Sequence, residues 1–342
     1  MRLDAASGSC EIVFGDVAEL ARLSRGRKMV AIVDRAAKKF HPRKMPGCPT
    51  TIVSGGEASK TLGQARKMYD RFAELGVDRS WLVVGIGGGA VCDLAGFVAA
   101  TYHRGVPLGL VPTTLLAQVD AAIGGKSAVN LGARKNAIGA IRQPQFAICD
   151  PEFLRTLPKA EVRNGLSEIV KCALVADAGL FNALEQLGKG ALHLDAKTLD
   201  RAVKAAVAVK ARIVASDEED SGERLKLNFG HTVGHALEGA LGISHGEAVA
   251  LGLLAETSLC VEMGFLPKKD GERAAALIRS TLLGRAVRPA IPRKALALMR
   301  ADKKGRGEAV LLPVLDVIGK SRIVGVDWSL LEAALENLRQ RR

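Results

Sequence analysis

Three of the chain's six histidines fall between positions 231 and 245. His231 and His235, in NFGHTVGH, are four residues apart, so on a helix both imidazoles lie on one face. His245 opens the following amphipathic run, HGEAVA. Neutral imidazoles grouped this way suit a divalent metal, and a catalytic zinc takes three protein ligands with one position open. The bland alternative is a set of structural histidines already satisfied by hydrogen bonds. HTVGH lacks the glutamate that follows the first histidine in the zinc-protease pattern, which argues against peptide hydrolysis. The best carboxylate to complete the set is Glu168, in GLSEIVK, with Lys171 on the same helical face. Glu and Lys at this spacing are commonly a surface pair. Here Leu166, Ile169 and Val170 around them predict a partly buried helix.

A second chemistry is suggested by glycine. Gly85-Ile86-Gly87-Gly88-Gly89-Ala90 runs out of the apolar segment WLVVGI and into a helical pattern. Glycines there let a backbone approach a pyrophosphate at a helix N-terminus. The acidic residue expected about 20 positions further on is missing, so taken alone the motif describes a tight turn equally well. Gly124-Gly125-Lys126, followed by Lys135-Asn136, lacks the spacing of a standard phosphate loop. It could offer amides and a cation to an anion, but each residue taken singly is expected in a surface loop.

These groups need a scaffold. Met29–Val33, Thr50–Val53, Trp81–Ile86, Leu108–Val111 and Phe146–Cys149 are expected strands, separated by helical patterns at Ser59–Leu75, Ala90–Thr101 and after Thr114. Such alternation predicts an α/β domain with a parallel sheet, binding its ligands outside the carboxyl ends of the strands. Beyond Pro151 long amphipathic segments take over: Gly165–Val175, Ala196–Ser216, Leu225–Ala240, Glu247–Met263 and Gly271–Leu283. Strand signals return only at Val310–Leu312 and Arg322–Val324, and Arg285–Pro292 is expected to be a connection. The expected division is a Rossmann-like domain over 1–150 and a mostly α-helical domain over 151–342. A chain of 342 residues is long for one core, consistent with two.

The formal charge of +13 raises nucleic acid as a partner. Against that, the basic residues are scattered, and the nine Phe, two Trp and two Tyr are not interleaved with them as a stacking platform needs. An anionic small substrate accounts for the charge better. The six cysteines form no C-x-x-C pair and sit mostly in apolar runs, as free thiols do in a reducing compartment. MRLDAASGSC does not look like a secretory leader, and the most apolar run, Val106 to Gly125, is broken by Pro107, Pro112, Gln118 and Asp120. A cytoplasmic protein with no membrane or nucleic-acid partner is expected.

Taken together, GGGAVCDLAGFVAATYHRG, VPTTLLAQVDAAIGGKSAVN, KNAIGA, LSEIVK, LNFGHTVGHALE, HGEAVALG and a late DKK resemble the 3-dehydroquinate synthase family of sugar phosphate cyclases. They stand in that family's order and spacing from about Asp34 to Gly319. Two departures are local: Leu-Gly-Ala-Arg follows Asn130 where His-Pro-Leu-Gly often stands, and Ser127 replaces a common Thr.

The resemblance implies a Rossmann-like domain and a helical domain, NAD and zinc (or cobalt) as cofactors, and a homodimer. The metal ligands it implies are Glu168, His231 and His245, with His235 beside the substrate. NAD would be contacted by Asp34, Glu57, Lys60, Gly88, Gly89, Asp93, Thr113, Thr114, Asp120, Lys135 and Thr156. The substrate would be held by Lys126, Asn136, Lys171, Lys210, Arg224, Asn228, His235 and a lysine of Asp302-Lys303-Lys304. Arg104 would reach the neighbouring subunit's site. The implied reaction belongs to the shikimate pathway and converts 3-deoxy-D-arabino-heptulosonate 7-phosphate to 3-dehydroquinate. A ring hydroxyl is oxidised by NAD, phosphate is eliminated, the hydride returns, and an intramolecular aldol step closes the carbocycle. The rivals are another sugar phosphate cyclase and a metal-dependent polyol dehydrogenase.

Overall fold

The computed structural model describes residues 1–132, 134–187, 195–283, 292–303 and 309–340. His193, Lys304 and the expected connection at 285–291 lie outside these residues. The chain forms two compact units, Met1–Pro158 with Lys210–Glu219, and Lys159–Val209 with Asp220–Arg342.

The first unit contains strands β1 (Arg2–Ala5), β2 (Gly8–Phe14), β3 (Met29–Asp34), β4 (Thr50–Val53), β5 (Leu82–Gly87), β6 (Leu108–Pro112), β7 (Lys126–Leu131), β8 (Arg134–Ile141) and β9 (Phe146–Cys149). Its helices are α1 (Leu20–Leu23), α2 (Arg35–Phe40), α3 (Leu62–Glu74) and α4 (Gly89–Thr101). Among the described residues seven strands make one sheet, in the order β1-β2-β9-β6-β5-β3-β4. Only the β1–β2 pairing is antiparallel.

The near-continuous apolar runs MVAIVD and LVVGIG are what a parallel sheet covered on both faces requires. Alternate side chains feed two cores. Val30, Ile32 and Val83 pack under Ala65, Met68 and Phe72 of α3 and Val91, Leu94 and Val98 of α4. Ala31, Val33, Val84 and Ile86 face the other way, onto Val17, Leu20, Phe146 and Phe153.

The strand positions expected from sequence hold for β3, β4, β5, β6 and β9. Three features differ. β1 and β2 were not anticipated, because RLDA and GSCEIVF mix polar residues into short stretches and their strand character comes from pairing. Lys126 and Lys135-Asn136 are in paired strands of a separate two-stranded sheet, β7–β8, and not in a surface loop. The helix expected after Thr114 is a single wide turn, Ala117–Ala121.

The second unit is mostly helical. It holds α5 (Lys159–Ala176) and α6 (Ala178–Leu187), while α7 (Ala196–Ser216) starts here and ends within the first unit's residues. There follow α8 (His231–Leu241), α9 (His245–Glu262), α10 (Lys268–Ile278), α11 (Arg293–Lys303), the antiparallel pair β10 (Ala309–Val317) and β11 (Lys320–Asp327), and α12 (Trp328–Gln340). Val233 and Leu237 of α8, Leu251 and Leu259 of α9, Met299 of α11, Leu312 of β10 and Leu335 of α12 share one core. Among the described residues no helix is long and apolar enough to cross a membrane. All six cysteines are free, and all but Cys48 are buried.

Candidate active site

In the second unit, the ligand atoms of Glu168, His231 and His245 all lie within 4.8 Å of one another. Three helices deliver them. Glu168 stands on α5, whose residues Gly165–Val175 are buried all round. His231 is the first residue of α8 and His245 the first of α9. α9 starts where it does because Ser244 accepts a hydrogen bond from the Glu247 N–H, one half of a capping box.

Glu168 and Lys171 are not a surface pair. They are 1% and 3% exposed, and the Lys171 ammonium lies against Oε2 of Glu168. Oε1 of Glu168 faces Nε2 of His231 at 3.4 Å and Nε2 of His245 at 3.5 Å. Neither buried carboxylate oxygen receives a hydrogen bond of normal geometry. Burial pushes the Glu168 carboxyl up, but Lys171 and the two imidazoles outweigh it and hold it well below the usual carboxylate range. Burial also works against a charge on His245. The carboxylates of Glu168 and Glu238 beside it overcome this and bring that ring up to about 10. A buried carboxylate facing two imidazole nitrogens is the donor set zinc or cobalt takes, so the residues fit the implied ion. Nδ1 of His245 lies 3.4 Å from Glu238, the carboxylate–histidine arrangement that orients metal ligands.

His235 is exposed and is not one of the three converging ligands. Its ring centroid stands 5.1 Å from that of His231 and 6.2 Å from that of His245. The protein around it, then the two neighbouring rings, push its pKa down to about 4.

Arg224 is buried and Asn228 half-buried, both on the 3-10 turn Glu223–Asn228 just before α8. Lys303 ends α11.

In the first unit, eight of the eleven residues expected to hold NAD gather at the carboxyl ends of neighbouring parallel strands, while Asp93 lies in α4, Asp120 in the turn Ala117–Ala121 and Lys135 in β8. Asp34 ends β3 and accepts the Ala36 N–H, capping α2. Glu57 and Lys60 follow β4, Gly88 and Gly89 follow β5, Thr113 and Thr114 follow β6, and Thr156 ends the turn after β9. Gly88 is the N-cap of α4, with no side chain over the helix end, and a Cβ there would lie 3.1 Å from Thr114. That bare helix end is a cradle for a phosphate pair, so the residues fit a dinucleotide.

Lys60, 2% exposed, donates to Asp93 at 2.6 Å, to Oδ1 of Asn136 at 2.6 Å and to Glu57 at 3.4 Å. Asn130, which the sequence reading did not single out, accepts the Asn136 N–H and donates to Glu57. It thereby supports Asn136, whose φ is +52°. Lys210, on α7, donates to the main-chain and side-chain oxygens of Asp120. Lys126 and Lys135 are exposed on β7 and β8, and Arg104 is exposed in the turn after α4.

The family model described as 3-dehydroquinate synthase N-terminal matches residues 50–164, and its C-terminal counterpart matches 165–305. A 3-dehydroquinate synthase of Pyrobaculum islandicum is 41% identical over 297 residues, 86% of this chain and 84% of that protein. The chain belongs to the 3-dehydroquinate synthase family. Another synthase of this family, from Desulforamulus reducens, is 43% identical over 74% of each chain. Among solved structures, 2-epi-5-epi-valiolone synthase of Streptomyces hygroscopicus with NAD+ and Zn2+ bound is 26% identical, with a TM-score of 0.85 over 97% of both chains. 2-Deoxy-scyllo-inosose synthase, complexed with carbaglucose-6-phosphate, NAD+ and Co2+, reaches the same TM-score at 24% identity, over 98% of this chain and 99% of its own. The family fold is therefore the one expected: a Rossmann-like α/β domain and a helical one.

Three groups at the metal cluster escaped the sequence reading. Glu238 closes HTVGHALE one helical turn after His235, and that spacing could have been noticed. Glu256 is a lone acid in an apolar run. Asn164 precedes Glu168 by one turn and accepts the Gly246 N–H at 3.1 Å, tying α5 to the start of α9.

Proposed function

We propose that this protein is a 3-dehydroquinate synthase of the shikimate pathway, converting 3-deoxy-D-arabino-heptulosonate 7-phosphate to 3-dehydroquinate and inorganic phosphate. The observation that carries the reading is the convergence of Glu168, His231 and His245 in a chain aligned along most of its length with synthases of that name. When bound, NAD supplies a hydride acceptor regenerated in each turnover, and zinc or cobalt supplies a Lewis acid for the oxygen being oxidised.

The rest is the work of the chain. Glu168, His231 and His245 hold the ion, and Lys171 keeps Glu168 ionised and fixed. Lys126, Asn136, Lys171, Lys210, Arg224 and one of Lys303 and Lys304 bind a substrate that is anionic at both ends. His235 and Asn228 move a proton near the departing phosphate. Asp34, Glu57, Lys60, Gly88, Gly89, Asp93, Thr113, Thr114, Asp120, Lys135 and Thr156 bind NAD. On this reading residues 1–150 form the NAD-binding domain and 151–342 the metal- and substrate-binding one, with Thr156 of the second also meeting NAD and Lys126 and Asn136 of the first also meeting substrate. The enzyme works in the cytoplasm as a homodimer, each Arg104 reaching its neighbour's site.

A second reading, closure of another sugar phosphate, draws on the two cyclase structures above. The presence of Lys210, Arg224, Asn228 and His235 together favours the synthase.

The deciding experiment is phosphate release from 3-deoxy-D-arabino-heptulosonate 7-phosphate, with NAD and zinc or cobalt, before and after chelation. Release that stops on chelation, returns with metal and builds up no NADH is expected. Release only from sedoheptulose 7-phosphate or glucose 6-phosphate would move the protein to another cyclase activity. Steady NADH formation from a simple polyol would make it a dehydrogenase.

A further inference from the structure

α8 carries a metal ligand at its first position, yet its start has no cap of its own. The N-cap residue is Gly230, at φ +81°, and offers no side chain. The first amides of a helix have no partner within the helix and must find one elsewhere. Here the partner is Glu256 of α9, 5% exposed in the apolar run AVALGLLAETSLC. Its Oε2 accepts the Gly230 N–H at 2.6 Å, and its Oε1 accepts the Val233 N–H at 3.0 Å. An acid in a core is costly unless its oxygens are satisfied. Both are used here, at the positive end of a helix dipole.

The two amides bracket His231. The helix that reaches over to hold them carries His245 at its own first position. The backbones are in direct contact: a Cβ on Gly252 of α9 would collide with the Gly230 carbonyl, and one on Gly234 of α8 would lie 3.1 Å from that of Ala248.

We infer that Glu256 is a positioning residue of the metal centre, clamping the start of α8 to α9 and so fixing the separation of His231 and His245. The inference rests on the metal-centre reading above. A clamp of this kind sets metal affinity, since groups that orient ligands typically contribute ten- to hundred-fold to it.

The test is zinc affinity of the full-length apoprotein, by competition with a chromophoric chelator, together with the visible spectrum of the cobalt form. Wild type, Glu256→Gln, Glu256→Ala and His231→Ala would be compared. The expected result is a zinc Kd raised about ten-fold in Glu256→Gln and more in Glu256→Ala, with an altered cobalt spectrum. Glu256→Gln keeps one carbonyl acceptor and the side-chain shape, so it decides the matter if Glu256→Ala does not fold.

A second measurement needs no variant. Zinc added to the wild-type apoprotein should slow amide exchange at Gly230 and Val233, because coupling between clamp and site is reciprocal. A folded Glu256→Gln protein with wild-type zinc affinity and cobalt spectrum, or exchange at those amides indifferent to zinc, would overturn the inference. If His231→Ala at the same time loses zinc, the metal-centre reading survives. If His231→Ala binds zinc like wild type, that reading fails and the clamp falls with it.

Discussion

Lys210 holds Asp120 twice, donating to its main-chain carbonyl at 2.7 Å and to its carboxylate. One residue is proposed to bind substrate and the other NAD, so the pair links two binding functions through a single ammonium. Lys210 has 8% of its side-chain surface in water and Asp120 35%. Removing the ammonium therefore leaves a carboxylate that water still reaches, and the stability cost should stay within about 1–3 kcal/mol, the range for an unpaired polar group. Lys210→Met is expected to lower kcat/KM for the sugar phosphate by roughly 100-fold, about 2.7 kcal/mol of transition-state binding. Asp120→Asn, which keeps the acceptor, should act mainly on the KM for NAD. Steady-state kinetics against each ligand in turn, with urea unfolding alongside, separate these effects. Unchanged constants for both variants would remove the pair from the machinery.

Asp93 gives a pH dependence of definite sign. Its carboxyl is pushed up from 3.8 to about 6, because burial outweighs the opposing pull of the Lys60 ammonium. Between those values the native state binds more protons than the unfolded chain, so stability falls as pH rises through the window. Below about 4 the protonated carboxyl contributes in full, and above about 6 that contribution is gone. Asp93→Asn lacks the proton. The stability of wild type relative to Asp93→Asn should therefore drop by about 1–3 kcal/mol between pH 4 and pH 6.5 and stay flat beyond. Urea titrations of both proteins at several pH values measure it. A flat difference throughout would mean that the Lys60 ion pair offsets the burial completely.

The parts of this fold that sequence revealed are those where one local signal decides the outcome. MVAIVD and WLVVGI are buried on both faces, so their composition alone marks parallel strands. β2 depends on a partner far along the chain, β9, and β1 joins the sheet only through β2, and no local pattern announces that. The site divides in the same way. The i, i+4 spacing of His231 and His235 brought both rings into view but could not say which one points at a metal. That depends on where α5 puts Glu168, a tertiary fact. Glu256 and Asn130 act by holding backbone amides, and a side chain bound to backbone leaves no mark in spacing.

His235 separates ligand from neighbour. His231→Ala should lose stoichiometric zinc, whereas His235→Ala should keep it, since only His231 lies within the converging set. A proton-transfer role nevertheless predicts a fall in kcat of about 100-fold or more for His235→Ala at full metal occupancy. Metal analysis after dialysis, paired with turnover, gives both numbers. Turnover unchanged in His235→Ala would defeat the proton-relay role, and zinc lost in step with His231→Ala would make His235 a ligand.

Gly55 tests the NAD site without touching the metal. It sits at φ +70°, and a Cβ there would collide with the carboxylate of Asp34. Ala at this position is strained twice, by backbone conformation and by that clash. The Asp34 side chain must then turn away from the end of β3, giving up the Ala36 N–H it accepts at 2.8 Å. If Asp34 holds the ribose of NAD, Gly55→Ala should weaken NAD binding by about ten-fold or more, the loss of one charge-assisted hydrogen bond. Zinc affinity should be unaffected, because Glu168, His231 and His245 belong to the other unit. Calorimetric titration of the variant with NAD and with zinc gives both affinities. Weakened NAD binding with wild-type zinc binding supports Asp34 as a cofactor contact. Wild-type affinity for both would show that the cofactor does not depend on this carboxylate.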